Sequence, residues 1–195
     1  MAAAAPPANA IVVTDKAFIR PYEASDAPAA AAAANHKDVS YFMTARFPSP
    51  YTLDHAKFWI DLCSKEQPTV NFGIFMLDGT FVGGIGLVPG SDIQYRTYEL
   101  GYWIGRDYWG KGIMTSAVRG FTRWAFEAFP DILRIEANVS QGNDASMKIL
   151  QRTGFQAEGV KRKAIFKFGK ALDKHEFGLL REDFEGVQPD DSSRS

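Results

Sequence analysis

Residues 105–118 read GRDYWGKGIMTSAV and join a β-rich run, YELGYWI (98–104), to a segment of helical periodicity. In that segment Met114, Ala117, Val118, Phe121, Ala125 and Ala128 form one face, and Pro130 follows as a stop. A strand that turns through glycines into a helix points to an α/β chain. The turn begins as G-x-x-x-x-G-K, but Gly112 stands where a nucleotide loop needs Ser or Thr to hold Mg²⁺. No strand clearly supplies a Mg²⁺-binding aspartate, since the preceding strand carries Glu99 and LRIEANV (133–139) has only Glu136. ATP hydrolysis is therefore disfavoured. A pyrophosphate that needs no metal, such as that of coenzyme A, fits better, because amides and the positive end of a helix hold an anion by themselves. On spacing alone, a phosphate site and a plain strand-to-helix turn fit equally.

On the N-terminal side, AFIRPY (17–22) reads as a strand, with Ser25 or Asp26 as cap of an alanine-rich helix ending near Asn35. Thr52 caps a second helix, in which Ala56, Trp59, Ile60 and Cys63 recur at helical spacing, so Cys63 reads as core rather than nucleophile. NFGIFMLDGTFVGGIGLVP (71–89) is a hairpin turning at Asp78-Gly79, with Gly83, Gly84 and Gly86 marking a bulge or a close backbone approach. On the C-terminal side, LRIEANV is a strand, and NDASMKILQRTGF is a short helix capped by Asn143 and ended near Gly154. FQAEGVKRKAIF and HEFGLLR are two last strands, so the expected fold is one α/β domain with a mixed, strongly twisted sheet flanked by helices.

The chain has 195 residues, 46% of them hydrophobic, which suits one domain with a full core. The domain is expected over residues 16–185, between mobile tails at 1–15 and 186–195. A net charge of −1, from 22 basic and 23 acidic side chains, argues against nucleic acid or an anionic membrane as partner. No apolar run approaches bilayer-spanning length, and MAAAAPPANA reads poorly as a signal peptide. One cysteine excludes an intrachain disulfide and any cysteine-cluster metal site, so the cytoplasm is the expected compartment. His36, His55 and His175 show no metal-ligand spacing, and no metal is expected.

The order strand, G-K-G loop, long helix, strand, then NDASMKILQRTGFQAEG resembles the GCN5-related N-acetyltransferases (GNAT). Within that family, PYTLDHAKFWI, ELGYWIGRDYWGKG and HEFGLLREDF resemble the branch of ribosomal-protein N-terminal acetyltransferases. The resemblance covers roughly residues 17–184. It implies acetyl-CoA as cosubstrate, lying in a splay between two parallel central strands with its pyrophosphate on the loop from Tyr108 to Met114. It implies coenzyme contacts at Trp103, Ile104, Trp109, Gly110, Lys111, Gly112, Ile113, Met114, Asn138 and Asn143. Asp107 departs from the Gln or Arg common in the family's loop, which bears on that side chain rather than on the amides.

Acetyl transfer needs a neutral amine, stabilisation of the developing oxyanion and help for the departing thiolate. Glu99 shares strand parity with Gly101 and Trp103 and is the candidate base, the alternative being a solvated glutamate. Many family members place a tyrosine four residues before the G-F pair, where this chain has Leu150. Ser146 is the nearest hydroxyl on that helix and matches the serine given the task in the ribosomal-protein branch. A first-turn serine that supports its own helix is an equal alternative. The resemblance implies an acetyl-CoA-dependent N-acetyltransferase whose acceptor is a primary amine, on a protein N-terminus or a small molecule, with a monomer or homodimer expected. Phe42, Phe47, Tyr51 and Phe168 are candidates for the acceptor groove, with core packing favoured. The basic residues between Lys161 and Lys174 read as a solvated hairpin face or as a guide for an acidic substrate. A noncatalytic acyl-CoA-binding or interaction module is the alternative function.

Overall fold

The computed structural model describes residues 6–186. Of the expected tails, residues 1–5 and 187–195 lie outside the described residues. The eight strands are β1 (Val12–Val13), β2 (Ala17–Pro21), β3 (Asn71–Met76), β4 (Phe81–Pro89), β5 (Thr97–Ile104), β6 (Arg134–Ser140), β7 (Gln156–Lys167) and β8 (Lys170–Leu180). Helices are α1 (Ala27–Ala34), α2 (Lys37–Tyr41), α3 (Leu53–Ser64), α4 (Ile113–Ala128), α5 (Asp144–Arg152) and α6 (Arg181–Gly186). They build one sheet of order β1-β2-β3-β4-β5-β6-β8-β7, in which β5 and β6 are the parallel pair and every other neighbour is antiparallel. A parallel pair needs a crossover, and α4 supplies it. Among the described residues no helix is long and apolar enough to cross a membrane.

Strand alternation divides the core between the two faces of the sheet. Ala17, Ile19, Phe72, Ile74, Leu100, Ala137 and Val139 pack with Ile113, Ala117, Phe121 and Ala125 of α4 and with Leu150 of α5. Phe18, Phe75 and Phe81 point the other way and pack with Ala27, Ala30 and Ala34 of α1 and Ala56 and Ile60 of α3. Cys63 is buried, which with the nearby Glu66 charge pushes its thiol up to about 12, so it is core and unreactive at neutral pH.

The structure corrects three local expectations and bears out a fourth. Val12–Val13 pair with Ile19 and Phe18, and Val12 is buried, so ordered packing begins ahead of residue 16. Ala128 is exposed, and Thr122 and Phe126 complete the buried face of α4. Asp26 precedes α1 but does not cap it with its side chain, because both carboxylate oxygens bind Arg20, at 2.7 and 2.8 Å. At β3–β4 the two alternatives occur together. The register shifts between Ile74↔Gly83 and Phe75↔Phe81, and a Cβ at Gly83 would strike the Trp103 carbonyl.

Candidate active site

Strands β5 and β6 pair at Thr97↔Arg134, Tyr98↔Ile135 and Glu99↔Glu136 and then separate. Each is held by its other neighbour: β5 stays on β4 as far as Ile104↔Gly83, and β6 stays on β8 as far as Ser140↔Lys174. The fork opens a cleft of about 740 Å³ that runs from the start of α4 to α2. Glu99, the last paired residue of β5, is exposed at the point of the fork.

At one end lies the loop before α4. Gly110 and Gly112 both have φ of +74°, a conformation that side chains disfavour. They aim the chain so that the first helical bond is Ser116 N–H to Gly112 O, at 3.1 Å. The amides of Ile113, Met114 and Thr115 therefore precede the helix ladder, and all three residues line the cleft with Gly110 and Gly112. Trp103, Ile104, Trp109, Asn138 and Asn143 line it too. Lys111 does not: its ammonium sits 5.4 Å from the Tyr108 ring centroid. A second cation went unread in the sequence. Lys16, in the β1–β2 turn, donates to the Lys111 carbonyl at 3.1 Å, while Asp15 accepts from Ser116 Oγ at 2.9 Å, so this turn braces the loop from outside.

Around the fork, Asn138 Nδ2 donates to Glu99 Oε1 at 2.9 Å, linking the two strands just beyond their last paired residues. Asn143 caps α5 by accepting from Ser146 N–H at 3.2 Å. Ser146 Oγ lies 2.8 Å from Tyr102 Oη, and Leu150 is fully buried. Sequence reasoning missed Tyr102. The available signal was parity: it alternates with Glu99 and so faces the side where α4 and α5 pack. Burial pushes the phenol up to about 12, against a smaller opposite effect of Ser146.

At the other end, Asp38, Val39, Phe42, Met43 and Thr44, from α2 and just beyond, line the cleft. The tip of the β7–β8 hairpin holds this segment. Lys167 Nζ donates to the carbonyls of Ser40, Tyr41 and Met43 at 2.8, 2.9 and 2.5 Å, and Phe168 stacks on Tyr41 with ring centroids 5.4 Å apart. Of the four aromatic candidates, Phe42 alone lines the cleft. Phe47 and Tyr51 pack together at 4.8 Å, with Phe47 also against Trp103. Along the hairpin, Lys161 and Lys174 both pair with Glu176, at 2.7 and 3.2 Å. His36 and His55 serve helix starts. Among the described residues no group of three or more His, Cys, Asp and Glu side chains is placed to hold a metal.

Amides at a helix start fit an anion such as the pyrophosphate of an acyl-CoA, and a Cβ built on Gly110 meets no atom within 4 Å, so the loop leaves its amides approachable. The family model described as an acetyltransferase (GNAT) domain matches residues 16–156. The chain is 34% identical to the putative ribosomal N-acetyltransferase YdaF of Bacillus subtilis, over 57% of this chain and 60% of that protein. It is 30% identical to the probable N-acetyltransferase YjcK of the same organism, over 86% and 96%. The structure of Mycobacterium smegmatis RimJ in complex with a CoA disulfide shares the fold, at a TM-score of 0.75 and 22% identity over 86% and 83%. The chain belongs to the GNAT acetyltransferase family. Within it the chain is an acetyl-CoA-dependent N-acetyltransferase similar to the ribosomal-protein branch, and the noncatalytic alternative is not favoured.

Proposed function

We propose that this enzyme acetylates the α-amino group of a protein N-terminus, in the cytoplasm and without a metal. The observation that carries the reading is the fork, which puts a carboxylate, Glu99, and a hydroxyl, Ser146, on the two sides of one cleft whose far end offers unpaired helix amides. A protein acceptor is supported by the relatives, among them the ribosomal protein uS5-alanine N-acetyltransferase of Escherichia coli, 31% identical over 56% of each chain.

In this reading the amides of Gly112, Ile113 and Met114 hold the coenzyme pyrophosphate. Trp103 and Ile104 border its arm. The amine lone pair forms a C–N bond to the thioester carbonyl carbon and the C–S bond breaks. The surplus proton of the amine passes to Glu99, which Asn138 orients by its 2.9 Å bond. Ser146 O–H donates a hydrogen bond to the departing sulfur. The products are the N-acetyl amide and the thiol of coenzyme A, once the sulfur takes up a proton.

The test offers the enzyme acetyl-CoA and matched peptides, one with a free N-terminus and no lysine, the other with a blocked N-terminus and one lysine. Thiol release with the first and none with the second is expected. Turnover on the lysine peptide alone, or on small amines alone, overturns the acceptor. Acetyl-CoA affinity is expected to be unchanged by EDTA, and a collapse on chelation would overturn metal-free binding.

A further inference from the structure

We propose that Tyr102 is a positioning residue for acyl transfer, its phenol donating to Ser146 Oγ and turning the serine O–H into the cleft toward the departing sulfur. The inference rests on the proposed role of Ser146 and goes beyond it. A serine in the first turn of a helix ordinarily spends its hydroxyl on nearby backbone groups. Ser146 does not. Its N–H is taken by Asn143 Oδ1 at 3.2 Å, and its Oγ has as partner Tyr102 Oη at 2.8 Å, from a strand 44 residues away in sequence; the Ser146 carbonyl, the phenol's other acceptor, is more distant at 3.4 Å. Either oxygen can donate across this contact; with the phenol as donor, one lone pair of Oγ is occupied and the serine proton is left to point elsewhere, and both residues line the cleft.

The alternative division of labour, in which the tyrosine itself delivers a proton, is chemically poor. A phenol pushed up to about 12 is a far weaker acid than a thiol near 8.5, so full transfer to the thiolate runs uphill by roughly three orders of magnitude. The same elevation keeps Tyr102 protonated, and therefore a donor, across neutral pH. A donor that polarises a second donor strengthens it without giving up its own proton. Leu150, one turn further along α5, is fully buried and offers no substitute hydroxyl.

The experiment compares wild type, Tyr102→Phe, Ser146→Ala and the double variant. It measures kcat and KM with the best peptide or amine acceptor, acetyl-CoA affinity, and thermal midpoint. Tyr102→Phe keeps the ring and is expected to lower kcat by about 10-fold with acceptor KM and acetyl-CoA affinity within about two-fold, the signature of an interaction felt in the transition state. Ser146→Ala is expected to cost more, and adding Tyr102→Phe to it to cost nothing further, because the tyrosine acts only through the serine. The Tyr102→Phe deficit is expected to stay constant between about pH 6 and 9, where a phenol near 12 does not titrate. An equal Tyr102→Phe deficit in the Ser146→Ala background overturns the inference, as does an unimpaired single variant or a parallel loss of coenzyme affinity. Each of those results leaves the transferase reading standing. Absence of turnover by wild type on every amine overturns both.

Discussion

The two ends of the cleft present different chemistry. At the end proposed for the coenzyme, opposite that proposed for the acceptor, the groups facing the cleft are main-chain amides, fixed by two glycines at φ +74° and the first turn of a 16-residue helix. At the acceptor end they are side chains of a five-residue helix and the loop after it, held by Lys167, which lies 124 residues beyond Met43. The first end takes its shape from adjacent residues, two glycines and a long helix, with the Asp15-Lys16 turn bracing it from outside. The second has too few residues for an independent helix, since nucleation is unfavourable in short segments, and it keeps its shape through a distant cation on its last carbonyls. Coenzyme affinity and acceptor affinity should therefore respond to different substitutions.

Glu99 sits at the fork between the two ends and tests whether they meet in one reaction. Glu99→Gln keeps size and the bond to Asn138 but cannot take a proton. A loss of about 10²- to 10⁴-fold in kcat/KM is expected near neutral pH. An α-amino acceptor has a pKa of about 8 and a lysine-like one about 10.4, so the deficit should shrink as pH rises toward the acceptor's own value, earlier for the former. A pH-rate profile of both proteins at saturating acetyl-CoA checks this, and a deficit constant across the alkaline range would make Glu99 a structural group.

Gly112→Val breaks the coenzyme end. A branched side chain at φ +74° costs roughly 1–2 kcal/mol and its Cβ would strike Lys16 Nζ, displacing the brace on the loop, so acetyl-CoA binding is expected to weaken by about 5- to 30-fold. Acceptor KM should barely move. Calorimetric titration with acetyl-CoA beside acceptor kinetics reads the split, and equal loss of both would erase the contrast between the ends.

Lys167→Met breaks the acceptor end. It keeps much of the stem and removes the donor to three carbonyls; partial burial of the Lys167 ammonium already holds it below the usual lysine range. Acceptor KM is expected to rise several-fold, with a stability loss of about 1–3 kcal/mol and unchanged coenzyme affinity. Chemical denaturation together with steady-state kinetics measures the three quantities.

The smallest effect belongs to the hairpin tip. Phe168 is held at φ +52° beside Gly169 at φ +72°, a tight turn that glycine would occupy more easily, and it stacks on Tyr41. Phe168→Gly relieves roughly 1–2 kcal/mol of strain and forfeits about 0.5–1.5 kcal/mol of aromatic contact, so stability should change by less than about 1 kcal/mol. Acceptor KM should still rise, by less than in Lys167→Met. A large drop in thermal midpoint would show that the stack stabilises the domain rather than the acceptor mouth.

Much of this protein was legible in one dimension. Periodicity and turn chemistry set the order of strands β2 to β8 and of helices α1, α3, α4 and α5, the hairpin at Asp78-Gly79, the Asn143 cap and the glycine loop opening α4, because these depend on residues a few positions apart, whereas the short β1, α2 and α6 carry no such pattern. Strand parity placed Glu99 with Trp103 on one face, since side chains alternate along any strand. The tertiary structure decided the rest. That β5 and β6 part after Glu99↔Glu136 follows from which strands flank each of them, which the local pattern does not report. Asn138 was read as a coenzyme contact, and the structure shows its side chain on Glu99. Tyr102 meets Ser146, Lys16 braces the loop, and Lys167 closes on α2. Each of these pairs joins segments far apart in the chain, and hydrophobic periodicity records which side of an element is buried, never which distant side chain it will meet there.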